Sequence, residues 1–549
     1  MKSVRGGKWS IINWKKRSPP IRRFSSYGPI NTKLHYYVPR TELIDLAHTQ
    51  LLGEDPAEGG HYITVWAPRQ AGKTWVMQNV LWRLQKDARF DVLKLNLEHL
   101  KQEQTVDSVV ETIAEEIIEM LGLAHPPVHT LKEFYGIFKR DVLQKPLIPI
   151  MDEFDALIEA AISGMAGMFR NIYTRCRDQA HLPTEERDYL LHGVALIGVR
   201  AVLGVENVTG SPFNVQRSIH IHNLTFDEVE SMFHWYERES GQPVEPEVID
   251  QVFYETRGQP GLVSWFGELL TETYNQTPSE PITPLHFEGV FAAAVDVLPN
   301  NNILNIISKA RQEPYRQFVL ALFETRGKVR FKYDHKATNY LYLNGVIDRE
   351  KESRTRHYVR FSCPFVQTRL FNYFSDEIFP EVGQLFAPFE SLEDTITDDS
   401  LNVSNLLRRY ERYLKKNRGW LLKEVPRRAD LRVREAVYHF NLYLYLTRFL
   451  DGYDGQIVPE FPTGNGKIDL IIRYSGQVYG LEVKSYANPK QYRTALPRAA
   501  RYGEQLGLDE ITLAFFVEAI DEASREKYEA VYHDAETGVT VRPVFVATG

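Results

Sequence analysis

His61-Tyr-Ile-Thr-Val-Trp66 runs into Ala67-Pro-Arg-Gln-Ala-Gly-Lys-Thr74 and then into a helical stretch over 75–85. Strand, glycine-bearing turn and helix in that order are the setting of a P-loop, GxxxxGK[ST], with Ala67 where the first glycine usually stands. The parts have distinct tasks. Gly72 lets the backbone turn, so that Pro68, Arg69, Gln70 and Ala71 wrap the phosphates of ATP and the helix start faces them. Lys73 reaches the β and γ oxygens, Thr74 ligates Mg²⁺, and Trp75 follows in the first helical turn. Ala67 needs only a conformation that does not require glycine. A chance match in a strand–helix turn is the plainer reading, and the flanking strand and helix count against it.

Working outward, β-branched runs at 61–67, 91–97, 147–152, 192–199 and 218–221 alternate with amphipathic stretches. That is the rhythm of a parallel sheet covered by helices on both faces. Pro146-Leu-Ile-Pro-Ile-Met-Asp152-Glu153 is an apolar strand ending in two acids. Asp152 would hold Mg²⁺ through water and Glu153 would polarise an attacking water, although such a pair can also cap a helix. Leu196-Ile-Gly-Val-Arg200 puts a cation where a γ-phosphate sensor would sit, whereas Arg170 and Arg175 are weaker candidates for an arginine finger and read rather as solvated charges.

The remaining chain divides by pattern. Thr225-Phe-Asp-Glu228 has the spacing of a capping box and opens a helical region to about 290. Residues 300–376 look like a small helical domain with a hairpin at 346–349 and 357–361, as in a winged helix. The acidic, Thr/Ser-rich stretch 390–404 reads as a hinge. The expected fold is therefore α/β and multidomain: a basic arm (1–24), a P-loop ATPase core with a parallel sheet (25–225), a helical lid (226–299), a winged-helix-like domain (300–389), a linker (390–404) and a C-terminal domain (405–549).

In that last domain, Gly466-Lys-Ile-Asp-Leu-Ile-Ile-Arg-Tyr474 and Gln477-Val-Tyr-Gly-Leu-Glu-Val-Lys-Ser485 flank the two-residue turn Ser475-Gly476. The turn sets Asp469 opposite Glu482, and period two puts Lys484 on the same face. Ile468, Leu470 and Ile472 against Leu481 and Val483 make the other face a core. Like charges across a sheet are unfavourable by about 0.2–1 kcal/mol, and a divalent cation would offset that. Two carboxylates suit Mg²⁺, whose water could attack a phosphodiester while Lys484 assists. The alternative is a solvent-facing hairpin in which Lys484 and Lys467 neutralise the acids.

Two resemblances follow from these motifs. Over about 24–380, Tyr36-Tyr-Val-Pro-Arg40-Thr-Glu42, Ser211-Pro-Phe-Asn-Val, Leu224-Thr-Phe-Asp-Glu228 and Gly258-Gln-Pro260-Gly261 are similar to segments of the STAND and archaeal AAA-like ATPases. Pro39 stands where that family has glycine, and Glu42 is one residue early. The resemblance implies an ATP switch in which Val38 and Arg40 flank the adenine and Pro260 approaches from the lid. Over about 405–549, a helix at 432–449, a strand at 457–461, the hairpin, a helix at 499–506 and a strand at 511–517 resemble the restriction-endonuclease-like αβββαβ order of the PD-(D/E)xK nucleases. That resemblance implies that Asp469, Glu482 and Lys484 are catalytic, that Glu435 joins the metal site, that Gln456 and Lys467 assist, and that Lys490, Arg498 and Arg501 touch phosphate.

Bulk composition bounds the readings. At 549 residues, several domains are required. Cys176 and Cys363 give neither a disulfide framework nor a zinc knuckle, no apolar run is long enough for a membrane span, and a cytoplasmic setting is expected. The net charge of −7 excludes a protein that coats nucleic acid throughout. Basic segments are local: Lys2, Arg5, Lys8, Lys15, Lys16, Arg17, Arg22 and Arg23 with Trp9 and Trp14, and a second run over 408–434. Each can track a phosphate backbone or be a solvated surface. The leading expectation is an ATP-controlled, Mg²⁺-dependent nuclease acting on DNA, with prokaryotic defence or mobile elements implied only by resemblance. A nucleotide-switched scaffold whose nuclease fold only binds nucleic acid is the alternative. A translocating nuclease would need a homo-oligomeric ring, and a protein trigger is compatible with either switch.

Overall fold

The computed structural model of the chain describes residues 22–183, 186–198, 217–324, 328–387, 390–427, 433, 435–453, 455–460, 469–486 and 488–549. Strands β1 Tyr62–Trp66, β2 Asp91–Asn96, β3 Leu147–Asp152, β4 Val194–Gly198 and β5 Arg217–His220 form a parallel sheet in the order β2-β3-β4-β1-β5. These are the five expected runs. Every position of β3 and β4 is buried, which is why they read as unbroken apolar stretches. Helices α1 Thr41–Leu52 and α2 Lys73–Leu84 pack on one face; α3 Val106–Leu121, α4 Leu131–Ile137 and α5 Glu159–Asp178 pack on the other. Because the strands are parallel, the loops after β1 and β3 emerge on one edge, which is where a ligand site of such a sheet forms.

The region expected as a lid, 226–299, contains α6 Phe226–Ser240, α7 Pro246–Thr256 and α8 Pro260–Glu268, here called the lid helices. The capping box is present: Glu228 N–H donates to Thr225 Oγ1 at 3.2 Å, and Thr225 N–H donates to Glu228 at 2.9 Å. Helices α9 Pro284–Asp296, α10 Asn301–Ala310, α11 Tyr315–Glu324 and α12 Lys336–Leu343 precede the hairpin β6 Ile347–Lys351 and β7 His357–Phe361, and α13 Pro364–Ile378 follows it. The segment 390–404, expected as a hinge, is pinned instead. Arg409, 5% exposed, donates to Glu390 and Thr395 at 2.6 Å, to the Ser391 carbonyl at 2.7 Å and to Asp394.

The C-terminal region contains α14 Val403–Leu421, α15 Glu435–Leu450, β8 Gln456–Glu460, β9 Asp469–Tyr474, β10 Gln477–Ser485, α16 Pro489–Gln505, β11 Glu510–Val517, α17 Glu522–Tyr528, β12 Tyr532–His533 and β13 Thr540–Ala547. The sheet order is β12-β13-β11-β10-β9-β8. The expected helix, three strands, helix and strand are all found over 435–517. Helix α16 starts ten residues before the expected 499, carrying Pro497 within it, and the sheet gains two strands beyond 517. One apolar core runs from Phe24 through the lid and the 284–378 unit to β13, so these parts share an interior.

At the floor of the first sheet, His192 is 3% exposed, rests its Nε2 against the Leu52 carbonyl at 3.0 Å, and is held by burial at a pKa of about 4. Its folded pKa lies below the unfolded value of about 6.5, so the folded state resists a proton that the unfolded chain accepts. The fold is expected to keep full stability above pH of about 6.5 and to lose roughly 3 kcal/mol as pH falls to about 4. Urea denaturation at stepped pH measures this. His192→Gln should flatten that acid slope, and an unchanged slope would contradict the assignment.

Candidate functional site

The backbone of the β1–α2 turn has the left-handed conformations such a loop needs. Gly72 has φ +91° and Gln70 φ +56°. A Cβ on Gly72 would meet nothing within 4 Å, so conformation rather than space demands glycine there. Ala67 is fully buried without a positive φ, so alanine suffices. Lys73, 7% exposed, donates to the carbonyls of Ala67 at 2.9 Å and Pro68 at 3.1 Å. Desolvation pushes its pKa down, and Glu153, Asp155 and Asp152 oppose that. Thr74 is exposed and Ala71 is buried.

The lid sits on this loop. Gln259 Nε2 donates to the Arg69 carbonyl at 3.0 Å, and the Gly261 amide donates to the Gln70 carbonyl at 3.1 Å, with Pro260 opening α8 between them. A Cβ on Gly261 would lie 2.5 Å from Gln70 Oε1, and one on Gly258 would lie 2.0 Å from the Leu224 carbonyl. The three segments that resemble family motifs are thus in mutual contact.

At the base end, Tyr37 meets Trp75 with centroids 5.3 Å apart and Trp235 at 5.7 Å, and Val38 is half-buried against the lid core. Trp75 Nε1 is buried without a hydrogen-bond partner, a donor that a base or ribose acceptor would satisfy. Arg40 is placed differently from the expectation. Its guanidinium is 5% exposed, donates to the His222 carbonyl at 2.5 Å and stands 3.7 Å from Glu228, closing the lid start. Arg40 itself caps α1 with φ +57°.

Asp152, 2% exposed, accepts from the Glu153 amide at 3.1 Å and pairs with Lys94 Nζ at 3.0 Å. Glu153 takes φ +55°, and burial raises its carboxyl pKa, with Lys73 opposing and Asp155 and Asp152 adding to the rise. Asp155 abuts the end of β4, where a Cβ on Gly198 would lie 2.6 Å from its Oδ1. Sequence reasoning missed Lys94. Its signal was a lysine inside the apolar run Val92-Leu-Lys-Leu95, on the strand hydrogen-bonded to β3. Arg200 and 211–215 lie outside the described residues. Arg170 is exposed, and Arg175 stands over the Tyr189 ring at 6.0 Å.

In the second sheet, Asp469 pairs with Glu482 in antiparallel register, as expected, through a turn with Ser475 at φ +49° and Gly476 at φ +72°. Leu470, Ile472, Leu481 and Val483 are buried on the opposite face. Glu482, 4% exposed, pairs through Oε1 with Lys484, while its Oε2 is buried without a hydrogen-bond partner. Glu435 starts α15, but its side chain and that of Asp469 lie outside the described residues, as does Lys467. Among the described residues, no three His, Cys, Asp or Glu side chains cluster to hold a metal. Gln456, Lys490 and Arg498 are exposed, and Arg501 faces Glu536 at 3.4 Å. Of the 408–434 run, Arg408 donates to the Phe545 carbonyl at 2.8 Å and, with Arg409, is an internal tie and not a phosphate ligand. Arg412, Lys415, Lys416, Arg418 and Lys423 are exposed. Residues 1–21 of the basic arm lie outside the described residues, and Arg22 is fixed to Glu239 at 2.5 Å.

No protein-family model and no curated protein matches the chain. Solved structures are similar to about three-fifths of it. A Walker-type ATPase of Pyrococcus abyssi is 12% identical over 63% of this chain and 99% of that one, with a TM-score of 0.43. The Orc1 protein of Aeropyrum pernix in complex with DNA is 14% identical over 64% and 95%, with a TM-score of 0.31. The RuvB Holliday junction branch migration motor of Thermotoga maritima is 11% identical over 59% and 92%, with a TM-score of 0.32. At these values the likeness decides nothing about ligands. The loop, the strand order and the paired acids are what give the N-terminal half the fold of a P-loop ATPase.

The Lys94 pair has a measurable consequence. Lys94→Met strands a buried carboxylate and should destabilise the metal-free protein by on the order of 3 kcal/mol. Mg²⁺ with ATP should then raise its melting temperature more than it raises that of the wild type. Equal shifts in both would remove Lys94 from the site.

Proposed function

We propose that this chain is an ATP-binding and ATP-hydrolysing switch that controls a metal-dependent phosphodiesterase acting on nucleic acid, DNA first. The observation that carries the cleaving half is the register of Asp469 against Glu482, with Lys484 on the same face and Glu482 Oε2 buried without a partner. A buried carboxylate oxygen without a donor suits a cation. Asp469 and Glu482, with Glu435 at the start of α15, are the residues that would hold Mg²⁺. When bound, the ion would lower the pKa of a water and neutralise charge on the phosphate. Lys484 would release Glu482 and turn to the reacting phosphate. The exposed cations of α14, or separately Lys490 and Arg498 of α16 on the other face of the sheet, are where a phosphate backbone could lie.

For the switch, Lys73 and Thr74 would take the β and γ phosphates and their Mg²⁺, Asp152 would hold that ion through water, and Glu153 would orient the attacking water. Trp75 and Val38 supply the base end. One observation favours a second reading, a scaffold that binds nucleic acid without cutting it: Lys484 already neutralises Glu482.

Incubation with plasmid, linear and single-stranded DNA, with and without ATP, Mg²⁺ and Mn²⁺, separates these readings. Asp469→Ala, Glu482→Ala and Lys484→Ala are each expected to abolish cleavage while ATP turnover persists. Calorimetric titration with Mn²⁺ should show binding lost in the carboxylate variants and kept in Lys484→Ala, because ammonium is no metal ligand. Lys73→Ala should lose ATP binding, and Glu153→Gln should keep it. Normal cutting by the carboxylate variants would eliminate the nuclease site.

A further inference from the structure

A cavity of about 290 Å³ lies where the end of β1, the turn from β5 into the lid and the 284–378 unit meet. Its floor is a pair of stacked rings. Trp66 ends β1 and His220 ends β5, parallel register sets them side by side, and their centroids are 4.1 Å apart with 26° between planes. Tyr342 of α12 stands edge-on to Trp66 at 5.8 Å. Burial holds His220 at a pKa of about 4, so its ring is neutral at pH 7. The Trp66 N–H is already bonded to Ser218 Oγ at 2.9 Å. The pair therefore offers aromatic surface and no net charge, with the neutral His220 ring keeping one N–H donor and one acceptor nitrogen.

The walls fit an uncharged, polar-edged ligand. Asn302, 3% exposed, and Ser362 line it, and the two charges that also line it, Asp348 and Arg349, are of opposite sign. None of Gly72, Lys73, Thr74, Asp152 or Glu153 lines the cavity, nor does Val38 or Arg40. It therefore adjoins the phosphate loop at Pro68 without including the residues expected to hold the phosphates, the metal or the base. Its volume sits at the lower limit for small-molecule sites, enough for a fused ring and a sugar but not for a triphosphate as well.

We propose that this cavity is a second small-molecule site, which takes a neutral planar heteroaromatic ligand of nucleobase to nucleoside size that extends the Trp66–His220 stack on one outer face. Its occupant is linked to the P-loop. Pro68 lines the cavity, a Cβ on Gly345 would lie 2.8 Å from Pro68, and Gln259, also lining it, donates to the Arg69 carbonyl. A ligand here touches the loop, the lid and the 284–378 unit at once, so its binding and that of ATP influence each other reciprocally.

The test is calorimetric titration of the full chain with adenosine, guanosine, cytidine and uridine, none of which carries a phosphate. At least one should bind saturably, and Lys73→Ala should bind it equally well. His220→Ala removes half the floor, and Ser362→Phe fills the cavity. Each should weaken binding about tenfold or more, since one base–aromatic stack has that worth. Circular dichroism melting identifies a variant that has unfolded, in which case the other carries the test. Three outcomes overturn the proposal: no nucleoside binds, binding survives in a folded His220→Ala or Ser362→Phe protein, or bound nucleoside is displaced competitively by ATP.

Discussion

The Gly261 amide donates to the Gln70 carbonyl, and the Gln259 side chain donates to the Arg69 carbonyl, so the first turn of α8 is laid on the backbone of the phosphate loop. The contact requires glycine at 261, because any side chain there would strike Gln70. Much of the architecture answers to it. Gly258 brings the segment before α8 against Leu224, where the lid begins, and Arg40 ties the start of α1 to the same lid turn. A phosphate that re-forms the loop must act on α8, since two loop carbonyls are hydrogen-bonded to it.

From α8 the interior continues without a break. Phe266 meets Phe365 of α13 at 5.2 Å, Phe371 of α13 meets Phe440 of α15 at 4.9 Å, and Phe323 of α11 meets Phe440 at 5.7 Å. Tyr438 of α15 stacks on Phe516 of β11 at 5.7 Å. On the surface, Arg473 of β9 pairs with Glu288 of α9 at 2.8 Å. Close-packed interiors transmit displacement poorly by bending and well by discrete shifts of whole helices. Helix α15 packs on the 284–378 unit and begins with Glu435, which makes it a physical link between that unit and the second sheet.

Much of this was legible in the sequence because it is written in period and local chemistry. Unbroken apolar runs mark β3 and β4, Gly72 marks the loop, and the Ser475-Gly476 turn sets the partner of Glu482. What was not legible depends on tertiary pairing. Lys94 sits in a run whose pattern marks only a strand, and its ion pair with Asp152 exists only because β2 lies beside β3. Arg409 belonged to a basic run that reads as solvated, and only the chain fold brings Glu390, Ser391, Asp394 and Thr395 around it. Pro497 hid the first half of α16, and Pro543 broke the apolar run of β13. Arg40 carries the residue type of the base-side motif, yet its left-handed backbone turns it toward the lid.

Hydrogen–deuterium exchange of the full chain tests the central claim, that the nucleotide loop and the second sheet respond as one body. The comparison is Glu153→Gln protein with and without ATP and Mg²⁺, with Lys73→Ala protein as the reference. ATP is expected to change exchange in α8, and also in α13, α15 and β10, only in the Glu153→Gln protein. Changes confined to the phosphate loop and the lid, with α15 and β10 unaltered, would contradict the claim.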